Sequence, residues 1–463
     1  MKKWTEEKIY IYIALFFGIL FVFLTPPFQS PDEDSHFKRS YQISKGMLYP
    51  TSKNSKLGGY FPKEMVDYIE DKKELMGDRD RKYTFAEMID EEHGNMNYDD
   101  KVFNSYSTVT FIPVVYFPPA AGILVSKVCA KIFGMNMVST SYMLYFARLF
   151  SLIFTIAITA LAIKITPIRK KTFLTVGLVP MYLFLSSMIS YDSVLNASLL
   201  LAVAIILNIT YKKNSFDKKD FIILGIIGTI LLNIKTIYFL IFLLMFAIPA
   251  KKFGTDKDKI KKGLLLIGEI LLFTLILRLP YFFLDNSGAQ DPFIGKQIGF
   301  ILNNPIDYIV ILYRNIVDQR FFQLSSAVGL FGLLDVYNPT AITFIIYLNL
   351  IAIGLSEGIT EKAKITRLSK ILIIVYAVLA IAAVYSALYV TWTPHIFKEI
   401  GTASITGVQG RYFIPLILPL LLLLSFNKGK DKKIWSIIKD NYLVVPVIVL
   451  MISICSIVIR FWM

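Results

Sequence analysis

From its amino end the chain alternates long apolar runs with short polar connections. Runs of the roughly 17–25 residues that cross a bilayer as helix occupy 9–25, 142–163, 172–190, 194–210, 263–284, 340–355, 371–390, 413–426 and 442–459, some a few residues short. The apolar stretch 221–250 is interrupted by Asn233 and Lys235, so it reads as a hairpin of two short helices. Together these predict an all-α polytopic membrane protein of about eleven spans, with 10 to 13 as the range. Composition agrees: 55% of the 463 residues are hydrophobic and 18% charged, and mean hydropathy is +0.58. A soluble domain usually carries about 25% charged residues, so soluble-enzyme and disordered-chain readings are excluded. Cys129 and Cys455 lie in separate apolar runs, which gives neither a disulfide framework nor zinc-ligand spacing.

Net charge is +15, and its placement sets the sidedness. The first run follows Lys2, Lys3 and Lys8 and ends at Pro26 and Pro27 without a small-residue cleavage site, as a retained anchor would. With its amino end inside, the inside connections contain 164–171, 211–220, 251–262, 361–370 and 427–433, all of them basic. Counted to the ends of the neighbouring spans, the inside segments hold 26 of the 49 Lys+Arg and 10 of the 34 Asp+Glu, or +16, leaving −1 for the rest. This is the positive-inside pattern, and it accounts for the charge better than nucleic-acid binding does. A further apolar stretch within 107–134 would invert this order if it crossed, so it is placed on the outer face as a juxtamembrane segment, with Lys127 and Lys131 snorkelling. Trp4, Trp392 and Trp462 stand at span ends, as interfacial anchors do.

The chain thereby divides into an anchor (1–27), a first outer loop with juxtamembrane helices (28–141), a group of spans (142–284), a second outer loop (285–339) and the carboxy-terminal spans (340–463). Polar complexity collects outside: residues 28–110 alone carry 16 acids and 12 bases. The sharpest local signal is SPDEDSHFKRS, 30–40. In one reading Ser30 is an N-cap, Pro31 opens the helix and Glu33 closes a capping box. In the other, helical spacing sets Asp32 and His36 on one face, where a carboxylate serves as general base or holds a metal ion. The two readings are compatible. Asp192 at a span end, Lys235 at the hairpin tip, and Lys296, Arg314 and Arg320 in the second loop are further polar candidates. The tract 407–415 has two glycines that permit close backbone approach, with Arg411 at the lipid boundary, where it either grips a lipid phosphate or anchors the span at head-group level. Glu269 lies within a span and is expected to hydrogen-bond a neighbouring helix; His93 and His395 lack partners at metal-ligand spacing. Phosphate-loop, nucleophile-elbow and dinucleotide motifs do not occur in a suitable context.

At SPDEDSHFKRSYQISKG (30–46), YFPPA (116–120), SSMISYDS (186–193) and GVQGRYFIPLILP (407–419), the chain resembles a bacterial membrane family of unknown function, the domain-of-unknown-function family numbered 2142. That family in turn resembles the GT-C superfamily of polyprenyl-phosphate-sugar-dependent glycosyltransferases, whose outline Pro118, Pro119 and Arg148 match. The resemblance implies a GT-C-like bundle in the bacterial cytoplasmic membrane with an extracytoplasmic active face. Asp32 or Glu33 would be the catalytic base, His36, Asp192, Lys235, Arg314, Gln409 and Arg411 would bind substrate, and a divalent cation would be an optional participant. The chain ends with its last span, without the large soluble domain of many GT-C members, which puts recognition of a cell-envelope glycan or lipid acceptor on the outer loops. The competing readings are a transporter or flippase of a lipid-linked saccharide, which needs polar residues along a path through the bilayer, and a noncatalytic subunit of an envelope-polymer complex. Convergence of Asp32, Asp192 and Arg411 on one opening is the discriminating expectation.

Overall fold

A computed structural model describes residues 4–90, 99–134, 138–285, 291–425 and 432–463. His93 and part of the last basic connection lie outside them. The first apolar run is α1 (Glu6–Leu24), followed at once by α2 (Glu33–Ser44). A three-stranded antiparallel sheet comes next, of β1 (Thr51–Lys53), β2 (Lys56–Pro62) and β3 (Lys101–Asn104), with α3 (Lys63–Lys73) and α4 (Phe85–Asp90) inserted before β3. Register pairs Thr51 with Gly58 and Tyr60 with Phe103. A 3-10 turn, Pro113–Tyr116, leads into α5 (Phe117–Ile132).

The bundle itself contains α6 (Thr140–Ile165), α7 (Lys170–Gly177), α8 (Pro180–Ser186), α9 (Tyr191–Tyr211), α10 (Lys218–Ile234), a 3-10 helix (Thr236–Ala247) and α11 (Asp256–Arg278). The second long loop folds into α12 (Ile294–Asn303), α13 (Pro305–Asp318), α14 (Arg320–Gly329) and a small hairpin. Then come α15 (Thr340–Thr360), α16 (Arg367–Thr391), α17 (Thr393–Phe397), α18 (Ile414–Leu422), α19 (Lys432–Asp440) and α20 (Val444–Phe461). Among the described residues, eight helices are long and apolar enough to cross a membrane, and two shorter apolar segments accompany them. The protein is an all-α polytopic membrane protein.

The expected spans recur with local corrections. The run 172–190 is not one helix: it breaks at Leu178 and Val179 because Pro180, opening α8, cannot donate an amide proton into the preceding turn. The hairpin 221–250 does break where polar residues interrupt it, with Lys235 extended between the halves. Its second half is 3-10 rather than α, which at about 2 Å per residue stretches twelve residues to about 24 Å. Glu269 lies against Gly225 of α10 with its Oε2 unpartnered, contrary to the expected hydrogen bond.

Both ends of the bundle are marked by tertiary pairs. At one, Arg169 reaches Glu361 and the Leu424 carbonyl, Lys171 donates to the Lys439 carbonyl, Tyr211 to that of Lys364, and Phe216 to that of Lys252. The basic connections therefore gather at a single end. At the other, the Trp462 indole donates to the Leu24 carbonyl (2.8 Å), so α1 and α20 finish on the same side. This loop end has its own apolar core, formed by Phe37 and Tyr41 of α2, Phe61, Met65, Ile69, Ile123 of α5, and Met143, Leu144 and Ala147 of α6. Segment 113–132 passes by length and composition, yet Gly122 abuts the Phe146 carbonyl and Lys127 lies over the Tyr41 ring. These contacts set α5 in the same layer as α2, beside the first turns of α6.

Candidate functional site

The helix α2 has an unusual composition for its surroundings. Glu33, Ser35, His36, Lys38, Arg39, Ser40, Gln42 and Ser44 are all buried. Charged residues are rarely buried without partners, so a polar helix sealed on every face requires a partner for each group. Ser35 accepts from Ser107, Gln42 binds Gly58 and Tyr106, and Lys38 approaches Asp34. Its first two acids divide sharply.

The helix begins at Glu33, with Asp32 as the preceding residue in the left-handed region, φ 60°. Neither side chain of the expected capping box forms it, and the Ser30 hydroxyl is buried without a partner. Glu33 turns into the protein and meets Arg148 of α6 in a fully buried bidentate pair, Nε to Oε1 at 2.8 Å and Nη2 to Oε2 at 2.6 Å. The Ile189 amide also donates to Oε1. Arg148 spends its remaining donors on the Val22, Thr25 and Pro26 carbonyls that end α1, where the helix dipole favours a cation. This arrangement takes Glu33 out of reach of any substrate: it ties α1, α2 and α6 together.

Asp32 turns the other way and is half exposed, 48% of its side chain. Arg411 donates to its Oδ2 at 2.9 Å. The same guanidinium lies 3.6 Å from Asp192, whose other oxygen accepts from Lys235 at 3.1 Å. Lys235 packs over the Tyr412 and Tyr191 rings, Tyr191 stacks on Phe111, and His36 meets Tyr191 edge-on. Asp32, His36, Asp192, Lys235 and Arg411 thus converge at one place at the loop end, from four separate segments. Arg411 is fixed there because Gly410 lies flat on α14: a Cβ would fall 2.2 Å from the Ala327 nitrogen and the Gln323 carbonyl.

Not every expected residue joins them. Gln409 is near in sequence, but its Oε1 is buried without a partner. Arg314 is exposed on α13, whose buried positions are Tyr308 and Asn315; one residue of helical rotation carries it away from the protein. Lys296 and Arg320 are likewise exposed. His395 pairs with Asp291 elsewhere in the loop layer. Sequence reasoning missed Tyr116, which binds the His36 Nδ1 at 2.9 Å, and Asn196, one turn along α9 from Asp192. Both polar atoms of buried Asn196 lack hydrogen-bond partners, as do Arg411 Nε and Asp192 Oδ2, the latter held by the Arg411 charge alone. Asn196 falls on the helical period of Asp192, the signal that could have found it.

Burial alone would raise the Asp32 pKa, but Arg411 above all, with His36 and then Lys235, outweighs it and holds the carboxyl below its usual range. Burial drives the His36 pKa down to about 4, with Asp32 and Asp192 opposing, so the ring is neutral at pH 7. Among the described residues no group of three metal-ligating side chains occurs. Asp32 and Asp192 face a guanidinium and an ammonium, which already supply the positive charge a divalent ion would bring, so this donor set does not fit one.

His36 makes a testable contribution to stability. An unfolded histidine titrates near 6.5, above its folded value of about 4, so the unfolded chain binds more protons between the two. Stability falls as pH drops from about 6.5 to about 4, by up to about 3 kcal/mol. The thermal midpoint of the purified protein is expected to decline between pH 7 and 4.5 and His36→Gln to flatten that decline. An equally steep decline in the variant would assign it to other groups.

A family model described as "Predicted membrane protein (DUF2142)" matches residues 15–421, a span that takes in every residue of the cluster. No curated protein and no solved structure matches the chain.

Proposed function

We propose that this chain, which belongs to the DUF2142 family of predicted membrane proteins, is a GT-C-like glycosyltransferase. It moves a sugar from a polyprenyl-phosphate donor to a cell-envelope glycan or lipid acceptor. In this reading the basic end faces the cytoplasm of a bacterial cell, the amino terminus is cytoplasmic, and the loop end is extracytoplasmic. One observation carries it: an ionised, half-exposed Asp32 is held by a buried arginine at the rim of an apolar bundle.

Asp32 accepts the proton of an acceptor hydroxyl, whose oxygen attacks the sugar's anomeric carbon. The bond from that carbon to the phosphate oxygen breaks, and polyprenyl phosphate leaves with the electron pair. The low pKa keeps Asp32 ionised, so the proton arrives late, once the bond to phosphate is largely broken. Arg411 and Lys235 hold Asp32 and Asp192 at the reacting end of the sugar, and Asp192 Oδ2 and the Asn196 amide, which make no hydrogen bond, are suited to sugar hydroxyls. Translocation has less to work with, since among the described residues charged side chains stand near the ends of the bundle apart from Glu269.

The test is the envelope glycan profile of cells lacking the protein, complemented with wild type or Arg411→Gln at matched abundance. Loss of one sugar substituent, restored only by wild type, is expected; an unchanged profile without the protein overturns the enzyme reading.

A further inference from the structure

Seven residues after Asp32 and on the same side of α2 lies Arg39, fully buried. Its Nη2 donates to the Leu48 carbonyl (2.7 Å), the Phe111 carbonyl (3.1 Å) and the Tyr281 hydroxyl (2.9 Å). Its Nε and Nη1 make no hydrogen bond of ordinary geometry and have no contact with solvent. Those atoms carry three of the five guanidinium N–H groups; the Tyr106 hydroxyl, which donates to Gln42, is a neutral acceptor beside the guanidinium and brings it no negative charge.

A second guanidinium acts on the same tyrosine, Tyr281. Arg278, at the end of α11, donates to Asn233 through Nε (2.9 Å) and Nη2 (3.1 Å), and to the Thr110 carbonyl through Nη1 (3.2 Å). Thr110 and Phe111 are consecutive, so one stretch of backbone separates the two cations. Among the described residues neither arginine forms an ion pair, whereas Arg148, Arg411 and Arg460 all do. A desolvated charge without a counter-charge costs several kcal/mol, which applies to the fully buried Arg39; Arg278 is part-buried and bonded to neutral oxygens only. Arg411 and Lys235, by contrast, are already matched by Asp32 and Asp192.

We infer that Arg39 and Arg278 form an anion subsite that takes the phosphate group of a ligand. A phosphate supplies the missing negative charge and enough acceptor oxygens for both guanidinium groups. Tyr281, part-exposed, accepts from Arg39 and donates to the Phe111 carbonyl at 3.0 Å, and it is the cover a ligand oxygen would replace. Seven residues of helix separate this subsite from Asp32 by about 10 Å, room for a sugar between base and phosphate. Only this last assignment, of the phosphate to a sugar donor, rests on the transferase reading.

The test is binding by the full chain in phosphatidylcholine nanodiscs, with inorganic phosphate and farnesyl phosphate as probes. Saturable binding to wild type is expected, weakened at least tenfold in Arg278→Gln and in Arg39→Lys, and retained in Asp32→Asn. Equal binding by wild type and Arg278→Gln, or no saturable binding of either probe, overturns the inference. Binding of farnesyl phosphate alone identifies a lipid carrier, and equal competition by inorganic phosphate identifies a free anion. Arginine-dependent binding beside an unchanged glycan profile keeps the subsite and removes the transferase; the converse removes the subsite alone.

Discussion

Asp32→Asn is expected to accumulate and fold as wild type does while losing about 10²–10⁴-fold in transfer rate, the usual contribution of a positioned general base. Asparagine is the appropriate replacement because the residue occupies the left-handed region at φ 60°, which asparagine and aspartate tolerate better than most residues. An alanine there would mix backbone strain with the loss of the carboxylate. Arg411 keeps Asp192 as a counter-charge at 3.6 Å and the Asp32 side of the pair is half open to solvent, so the substitution costs less than breaking a sealed pair. The measurement is transfer by purified variant and wild type from a polyprenyl-phosphate sugar, together with the glycan profile at equal abundance. Wild-type transfer by Asp32→Asn would remove the residue from the chemistry.

The neighbouring substitution should do the reverse. Glu33→Gln leaves Arg148 charged, fully buried and without a counter-charge, and breaking such a pair from one side costs about 3–5 kcal/mol. Against net stabilities of about 5–15 kcal/mol, that is a large share. Arg148→Gln is expected to be as damaging, since it strands Glu33 and also frees the Val22, Thr25 and Pro26 carbonyls at the end of α1. Because either change already breaks the pair, the double variant should be little worse than the singles. Thermal aggregation of detergent-solubilised protein, followed by size exclusion, reads the effect. A Glu33→Gln protein as heat-stable as wild type, yet inactive, would return Glu33 to the site.

These two adjacent acids show where sequence reading stops. The motif at 30–40 stood out through its residue types, and the spacing of Asp32 and His36 correctly put them together. Which acid faces solvent depends on Arg148, 115 residues from Glu33, and on Arg411, 379 residues from Asp32. Arg314 had the right charge in the right loop, but its helix turns it outward, a matter of phase against a distant partner. Arg39 lies inside the motif at 30–40 and carries no sequence signal, because what distinguishes it is the lack of an acid near it in space.

The sequence by itself determined that the chain is a membrane protein, roughly where its helices run, that the hairpin breaks at Asn233 and Lys235, and that its basic connections form one set. Those properties are sums over a local segment: the apolar length needed to cross hydrocarbon, and the charge beside it. The tertiary structure decided that Glu33 is sealed and Asp32 open, that 172–190 splits into two helices, that the 3-10 segment replaces an α-helix, and that two arginines share one loop without a counter-charge. Those depend on which surfaces of distant helices meet, and a buried charge takes its role from whatever group lies within about 4 Å of it.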